Sequence, residues 1–266
     1  MRQNISKVKR IVIKLGSNLL SKQGFGLDAK KIKNIAREIV SLRKEKKDIV
    51  IVTSGAISAG MHKLGFTSRQ MSISVKQTAA SVGQIILMHT YENIFSDFHQ
   101  TIGQVLLTKD DFGSSQRKSN ARNTFLTSFK KNVIPIVNEN DTTAVDEIKI
   151  GDNDNLSASV AILIDADLLI VFSDIDGLYT CDPRKHKAKA ELIHEVKEIT
   201  NEIEKYCSDS GTCVGTGGMI TKIAAAKRVV NAGIPMIIAN GNLPNCLTDI
   251  IAGKEVGTLF HPVVNK

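Results

Sequence analysis

The chain has 266 residues, of which 42% are hydrophobic and 23% are charged, and its formal net charge is +8. This composition is ordinary for a globular protein and excludes the disordered and fibrous classes. The positive charge would attract polyanions, but the chain has no Trp and only 5% aromatic residues, too few for base-stacking surfaces. We therefore expect a solvated basic surface that draws in anionic substrates, and no binding of nucleic acid.

Much of the positive charge lies in two clusters, at 43–47 and 184–189. The first closes a predicted helix, where cations complement the helix dipole. The four cysteines form no C-x-x-C pair and no zinc spacing, which predicts reduced thiols. The N-terminus lacks the apolar core of a signal peptide, and the most apolar stretch, 160–172, is interrupted by two aspartates. These features predict a cytoplasmic protein without membrane contact.

Strand and helix patterns alternate along the chain. The first helix has Asp28 as its predicted N-cap, and the unalternating β-branched run at 49–52 is typical of a parallel strand covered on both faces. The alternation predicts an α/β protein, a three-layer αβα sandwich with a largely parallel central sheet, in one domain over 1–266. Strands are predicted at 8–15, 48–52, 105–107, 133–137, 168–172 and 234–239, and helices at 28–42, 56–64, 75–98, 120–131, 156–164 and 222–231.

Two loops that contain glycine and lysine suit phosphate. Lys14-Leu15-Gly16-Ser17 ends the first strand, where glycine lets the backbone approach a phosphate and Ser17 adds a hydroxyl group. The segment 216–222 places two glycines before a helix whose first turn exposes N–H groups and a positive dipole end. The alternatives are an ordinary glycine turn in the first loop, and a flexible loop with an exposed helical lysine, Lys222, in the second.

The run 138–157 is unusually rich in amides and carboxylates. Gly151-Asp152-Asn153-Asp154-Asn155 offers hard oxygen ligands of the kind that Mg²⁺ prefers while it bridges substrate phosphates. The alternative is an Asx-rich turn in which Asn155 caps the following helix. Asp141, which follows the strand at 133–137, suits a substrate ammonium group.

Two further turns follow predicted strands. Asp174 comes directly after the strand at 168–172 and suits the orientation of a catalytic lysine, although a carboxylate there also caps turns. Ser54-Gly55-Ala56 leads from a strand into a helix, and its N–H groups suit a carboxylate.

These segments together resemble the amino acid kinase superfamily over nearly the whole chain, and most closely its glutamate-phosphorylating branch. The superfamily's acetylglutamate and aspartate kinases share the glycine loops but not the pattern at 138–157. Ser173 stands where many relatives have threonine, a change that keeps the hydroxyl group. The likeness rests on the segments 12–17, 52–57, 138–141, 147–157, 176–183 and 215–219.

The resemblance implies an ATP-dependent transferase that phosphorylates the side-chain carboxylate of L-glutamate, with Mg²⁺, as the first step of proline biosynthesis. It implies that Lys14, Lys222 and Asp174 are catalytic and that Ser54, Asp141 and Asn153 bind glutamate. Asp152 and Asp154 would hold Mg²⁺, directly or through water. The implied ATP contacts are Lys14, Gly16, Ser17, Ser173, Asp174, Thr216, Gly217, Gly218, Met219, Ile220, Thr221 and Lys222.

The resemblance also implies partners. Proline is expected as a feedback inhibitor, the next-step reductase as a cooperating enzyme, and a second copy of the chain in a homo-oligomer. Many relatives carry a C-terminal PUA domain, which is not expected here because the kinase domain fills the 266 residues. Two competing hypotheses remain: another acid or nucleotide kinase of the same fold, and a nucleotide- or RNA-binding regulator without catalysis.

Overall fold

A computed structural model of the chain describes residues 2–21, 26–66, 72–144, 153–184, 189–208 and 218–263. A 3-10 helix, Arg2–Lys7, precedes the first strand. The strands are β1 (Arg10–Leu15), β2 (Asp48–Thr53), β3 (Ile102–Leu107), β4 (Ile134–Glu139), β5 (Leu168–Ser173), β6 (Leu178–Tyr179), β7 (Leu192–Ile193), β8 (Glu195–Val196), β9 (Met236–Asn240) and β10 (Thr258–Phe260). The helices are α1 (Ser17–Leu20), α2 (Ala29–Lys44), α3 (Ala56–Lys63), α4 (Ile73–Ser96), α5 (Lys109–Gly113), α6 (Ser115–Lys130), α7 (Asn153–Leu163), α8 (Asn201–Ser208), α9 (Met219–Asn231) and α10 (Cys246–Ile251).

The main sheet has eight strands in the order β3-β4-β2-β1-β5-β9-β10-β8. Its strands run parallel from β3 to β9, and β10 pairs with β9 in the antiparallel direction. The predicted largely parallel sheet is therefore confirmed. Within the described residues, no helix is both long and apolar enough to cross a membrane.

The central strand β1 shows why helices cover both faces of the sheet. Successive side chains of a strand point to opposite faces. Ile11 and Ile13 accordingly pack in one buried cluster with apolar residues of α2, whereas Val12 packs in the other with residues of α7 and α9. Lys14 is two residues from Val12, so its side chain leaves β1 on the same face as α7 and α9.

Helices α3 and α4 touch through their backbones. A Cβ atom added at Gly60 would lie 1.7 Å from the carbonyl oxygen of Ala79, and one added at Gly83 would lie 1.7 Å from that of Ala56. Only glycine permits this approach. The contact holds Ala56, the first residue of α3, against α4. Ala56 lies three residues after the end of β2.

The predicted helix boundaries are confirmed in one place and wrong in another. Asp28 caps α2 as predicted, since its Oδ1 accepts a hydrogen bond from the backbone N–H of Lys31 at 3.1 Å. The helix predicted from 156 begins at Asn153, so Asn155 lies inside its first turn. The alternative in which Asn155 caps the helix is wrong, because Asn153 and Asp154 before it already adopt helical structure.

The basic cluster at 43–47 is only partly solvated. Arg43 and Lys44 lie in the last turn of α2, as predicted. Lys47, however, is buried, and its Nζ donates hydrogen bonds to the carbonyl oxygens of Ser6 at 3.0 Å and Val8 at 2.9 Å. The prediction of a solvated surface is wrong for Lys47, because its ammonium group fastens the segment before β1 to the end of α2.

Candidate active site

The predicted site residues gather at the carboxyl ends of the central strands. Lys14 is near the end of β1, and Ser54 follows β2. Asp141 follows β4, and Asp174 follows β5. Because these four strands are neighbours in the sheet and run parallel, the polar side chains share one edge, which is where ligands bind in open α/β sheets.

A buried ion triad occupies the centre of this edge. Asp154, in the first turn of α7, is 0% exposed. Its Oδ1 lies 2.7 Å from Lys14 Nζ, and its Oδ2 lies 3.2 Å from Lys222 Nζ. Strand β1 and helices α7 and α9 thus bring together three charged groups that are far apart in sequence. We call Lys14, Asp154 and Lys222 the lysine triad.

Burial and neighbouring charges shift the pKa values of Asp154 and Lys222. Burial alone would raise the pKa of Asp154, but Lys14 and Lys222 together hold that pKa down to about 2. Burial lowers the pKa of Lys222, and the charge of Asp154 opposes this effect. Two lysines thus face one carboxylate, and this arrangement suits an anionic ligand such as a phosphoryl group.

Thr221 fixes the orientation of Asp154. Its Oγ1 donates to Asp154 Oδ2 at 2.7 Å, the oxygen that also accepts a hydrogen bond from Lys222.

The other predicted residues of this loop lie at the start of α9. Gly218 is the N-cap of α9, and Met219 is its first residue. Ile220 is 63% exposed, so its side chain points away from the lysine triad. Thr216 and Gly217 lie outside the described residues.

Lys222 is not the exposed helical lysine that the sequence left as an alternative. The side chain is 6% exposed and lies against Asp154. That alternative is wrong because the first turn of α9 packs directly on the first turn of α7.

The hydrogen-bond partners of Asp174 within the described residues are side chains other than the two lysines. Its Oδ2 accepts from Arg184 at 3.2 Å and from Asn18 Nδ2 at 3.4 Å, and its Oδ1 accepts from Ser173 Oγ at 3.3 Å. Its charge also raises the pKa of Lys222, although less strongly than that of Asp154 does. The carboxylate in contact with both lysines is Asp154, which the sequence suggested as a metal ligand.

Gly16 leaves room next to the lysine triad. A Cβ atom added there would lie 3.6 Å from Lys14 Nζ and 3.5 Å from the carbonyl oxygen of Phe172. Any larger side chain would occupy the space in front of the ammonium group. Ser17 follows as the first residue of α1. The loop therefore places no side chain of its own at position 16 in front of the Lys14 ammonium group.

A network of amides connects β2, β4 and α7. The Nδ2 of Asn153 lies 2.9 Å from the carbonyl oxygen of Thr53, 3.0 Å from Ser54 Oγ and 3.0 Å from Asn138 Oδ1. Asn138 Nδ2 in turn donates to Gln84 Oε1 at 2.9 Å. Sequence reasoning did not assign Gln84 to the site, because a single glutamine inside a long helix carries no distinguishing pattern.

Asp141 is a buried carboxyl group beside this network. It is 5% exposed, and burial raises its pKa to about 7. Within the described residues, its Oδ1 has no hydrogen-bond partner. A buried carboxylate without a donor suits a cationic ligand such as an ammonium group.

The described residues offer little to a metal ion. They contain no group of three or more His, Cys, Asp or Glu side chains able to hold one. Both oxygens of Asp154 already face lysines. Asp152, the other predicted ligand, lies outside the described residues. A cation here would therefore have fewer than three such ligands among the described residues, with phosphate oxygens and water completing its coordination.

The chain resembles known proteins in sequence. The sequence profile of the amino acid kinase family matches residues 9–240. The chain is 50% identical to glutamate 5-kinase of Clostridium tetani, over 98% of each chain. It is 50% identical to glutamate 5-kinase of Geobacter metallireducens, over 97% of this chain and 69% of that protein. Glutamate 5-kinase of Clostridium acetobutylicum is 47% identical, over 97% of this chain and 96% of its own.

Solved structures also resemble the fold. UMP kinase from Bacillus anthracis matches with a TM-score of 0.64 and 18% identity, over 97% of each chain. UMP kinase from Ureaplasma parvum matches with a TM-score of 0.62 and 17% identity, over 96% of this chain and 99% of that chain. At these identities the likeness concerns the fold alone.

Proposed function

Because the chain belongs to the amino acid kinase family, we propose that it transfers the γ-phosphoryl group of ATP to the side-chain carboxylate of L-glutamate. The products are L-glutamyl 5-phosphate and ADP, and the reaction opens proline biosynthesis. The relatives that share about half of the sequence over nearly the whole chain are glutamate 5-kinases, which supports this acceptor. The structural observation that carries the proposal is the buried lysine triad, two cations held apart by one carboxylate.

The reaction needs no protein base. A glutamate side chain has a reference pKa of about 4.3 and is ionised at neutral pH. One of its oxygens forms the new bond to the γ-phosphorus, the bond from that phosphorus to the bridging oxygen of ADP breaks, and ADP leaves with the electron pair. The absence of a histidine from the proposed roles follows from this chemistry.

The difficult step is to bring two anions together and to balance charge as the phosphoryl group moves. Lys14 and Lys222 are already oriented by Asp154, so their ammonium groups need no rearrangement when the charge shifts. Fixed cations of this kind stabilise the transition state of phosphoryl transfer. Asp154 acts through the lysines, as a positioning residue, whereas the two lysines contact the transferring group.

The amino acid lies beside the lysine triad in this proposal. Ser54 and Asn153 lie between the lysine triad and the end of β4, and Asp141 stands beyond them. The side-chain carboxylate faces Lys14, and the ammonium group faces the carboxylate of Asp141. Ser173, Asp174 and the start of α9 take the nucleotide side, where the N-terminus of the helix favours phosphate.

Mg²⁺ accompanies ATP in the proposal. The described carboxylates form no metal cluster, so we assign the ion to phosphate oxygens and water, which is the usual coordination of Mg²⁺ on nucleotides. When bound, the ion would neutralise phosphate charge. Asp152 stays a prediction, because it lies outside the described residues.

The decisive experiment measures ADP release and traps the product with hydroxylamine. An acyl phosphate gives a hydroxamate, and we expect one that depends on both ATP and L-glutamate. Acetylglutamate, aspartate and UMP are the matched acceptors to compare. A preference for one of them would replace the proposed acceptor, and an inactive chain that still binds nucleotide would favour the regulator hypothesis.

We also propose inhibition by proline, assembly as a homo-oligomer, cooperation with the next reductase and a cytoplasmic location, all of which rest on the family resemblance. Proline resembles the amino-acid substrate and is expected to raise the apparent KM for glutamate. Glutamate kinetics that are unaltered by proline would reject this regulation. Light scattering of the purified chain measures the oligomeric state.

A further inference from the structure

Gln84 lies on the face of α4 that covers the end of β4. Its Oε1 accepts a hydrogen bond from Asn138 Nδ2 at 2.9 Å. Two helical turns earlier, Gln77 Nε2 donates to the carbonyl oxygen of Thr142 at 3.4 Å. Residues seven apart share one face of a helix. This face of α4 therefore lines both the end of β4 and the turn that follows it.

A backbone carbonyl oxygen determines how the side-chain amides of Asn153, Asn138 and Gln84 are oriented. The Nδ2 of Asn153 faces the carbonyl oxygen of Thr53 at 2.9 Å, an atom that can only accept. The same Nδ2 faces Asn138 Oδ1 at 3.0 Å, so Asn138 Nδ2 points the other way, towards Gln84 Oε1. Consequently the Nε2 of Gln84 is turned away from Asn138, and its two hydrogens are available to another group.

This Nε2 atom is buried, and it has no acceptor within the described residues. The buried Oδ1 of Asp141, just beyond the same strand, likewise lacks a donor in the described part of the chain. Buried polar atoms are nearly always paired, and an unpaired one is costly. An unpaired donor and an unpaired acceptor beside one strand end match the head group of an amino acid, because an ammonium group donates and a carboxylate accepts.

We infer that the Nε2 of Gln84 donates a hydrogen bond to the α-carboxylate of the substrate and so selects acids that carry this group. The inference rests on the proposed function and adds a substrate contact to it. The lysine triad takes the side-chain carboxylate and Asp141 takes the ammonium group, which leaves the α-carboxylate for Gln84 together with the N–H groups of the Ser54 turn. Asn138 then has a structural part, because it holds Gln84 in the orientation that presents the donor.

The test uses the purified full chain and three variants. Q84M removes both polar groups and keeps the length of the side chain. Q84E keeps an acceptor for Asn138 but replaces the donor with a second anionic oxygen. Q77M is the matched control, since it makes the same change on the same helix face two turns away. Thermal melting shows that each variant is folded, and kcat and KM are measured for glutamate and for ATP.

A lost hydrogen bond to a charged group corresponds to about a 10- to 100-fold rise in KM for glutamate. We expect this rise in Q84M, with kcat and the KM for ATP within about threefold of the unchanged protein, and an equal or larger rise in Q84E. Q77M is expected to stay within about twofold. In Q84M, 4-aminobutyrate, which lacks the α-carboxylate, is expected to compete with glutamate with an unchanged inhibition constant.

Three results would overturn the inference: a normal KM for glutamate in Q84M, a normal KM in Q84E beside a raised one in Q84M, or equal weakening of glutamate and 4-aminobutyrate. The second result would mean that Gln84 only supports Asn138. The unchanged protein separates this inference from the proposed function. If it forms no glutamate-dependent hydroxamate, the function itself fails, whereas an active protein with an unaffected Q84M variant fails only the inference about Gln84.

Discussion

The carboxylate of Asp154 and the ammonium group of Lys14 lie 2.7 Å apart, and neither side chain is more than 6% exposed. One comes from the first turn of a helix and the other from the central strand. The pair is a consequence of strand alternation, since Lys14 leaves β1 on the face that α7 and α9 cover. The short distance indicates that Asp154 pairs with the lysines. A substitution at Asp154 can distinguish this role from metal binding.

Asp154→Asn should lower turnover without changing the response to Mg²⁺. The substitution keeps the shape of the side chain but leaves two buried ammonium groups facing each other. We expect kcat to fall by about 10² to 10³, in line with the loss of one preorganised electrostatic element. Titration of Mg²⁺ at saturating ATP measures how turnover depends on the Mg²⁺ concentration. A large shift in the Mg²⁺ dependence would instead make Asp154 a metal ligand.

The same pair predicts a dependence of stability on acid. The pKa of Asp154 is lowered from 3.8 to about 2 in the folded chain, so the stabilisation by the pair is present above pH 4. It is lost as the pH falls from about 4 to about 2. Urea unfolding across this range should show a steeper loss of stability in the unchanged protein than in Asp154→Asn. Parallel curves would contradict the ionised pair.

Lys222→Ala should reduce kcat by about 10³ or more, because a cation on the transferring phosphoryl group is worth about that much. Removal of an exposed lysine would leave folding nearly unchanged. Because Lys222 is buried against Asp154, we expect a loss of about 3 kcal/mol in the free energy of unfolding.

Lys227→Ala is the matched control for Lys222→Ala. It lies on the same helix, but its side chain is 46% exposed and pairs with Glu204 at the surface. Both kcat and stability should stay close to those of the unchanged protein, within about 0.5 kcal/mol for unfolding. Near-normal turnover in Lys222→Ala would remove this lysine from the reaction.

The raised pKa of Asp141 predicts that glutamate binding weakens in mild acid. Burial raises the pKa of this carboxyl group to about 7, so the ionised form that would meet the ammonium group is lost below that pH. The KM for glutamate should rise up to about tenfold for each pH unit below 7, until the substrate itself is protonated. A flat KM between pH 6 and 8 would contradict this assignment.

Ionisation of Asp141, which should strengthen glutamate binding, should lower the stability of the folded chain. A carboxyl group whose pKa is raised on folding destabilises the folded chain as the pH rises from about 4 to about 7, because burial then opposes ionisation. The cost at pH 8 is about 4 kcal/mol before glutamate binds. Asp141→Asn should therefore melt at a higher temperature than the unchanged protein at pH 8 while it loses affinity for glutamate.

Gly83→Ala should disturb glutamate binding from a distance. The added Cβ would lie 1.7 Å from the carbonyl oxygen of Ala56, so α3 and α4 must separate at the residue that follows the Ser54 turn. We expect a loss of about 1 to 3 kcal/mol in unfolding free energy and a higher KM for glutamate. Gly113→Ala is the control, since nothing lies within 4 Å of its added Cβ. An equal effect of the two changes would contradict the role of the helix contact.

The fold could be predicted in part from local patterns, because β1, β2, β3 and β9 are short and each is followed by a helix. Asp28 illustrates how a single polar residue marks a helix start. Asn155 shows the limit, because polar residues that form ligand sites and polar residues that cap helices look alike in sequence. The first turn of α7 carries both features, and only packing decides where the helix begins.

The site could be predicted only as separate loops. Lys14, Asp154 and Lys222 each follow a recognisable strand or glycine turn, but their mutual distances depend on how α7 and α9 pack on β1. The pairing of Asp154 with the lysines is such a consequence. Gln84 could not be found at all, because its role depends on which way the amides of Asn138 and Asn153 point.

The pairing of β1 with β5 places constraints on the order of folding. Ile11 is matched with Leu168, so the strand that carries Lys14 gains its second neighbour only after most of the chain has left the ribosome. Contacts this distant along the sequence form slowly. Helix α9, which supplies Lys222, is made later still. Any folding stage that precedes the docking of α9 therefore lacks Lys222, and its nucleotide-facing edge is incomplete.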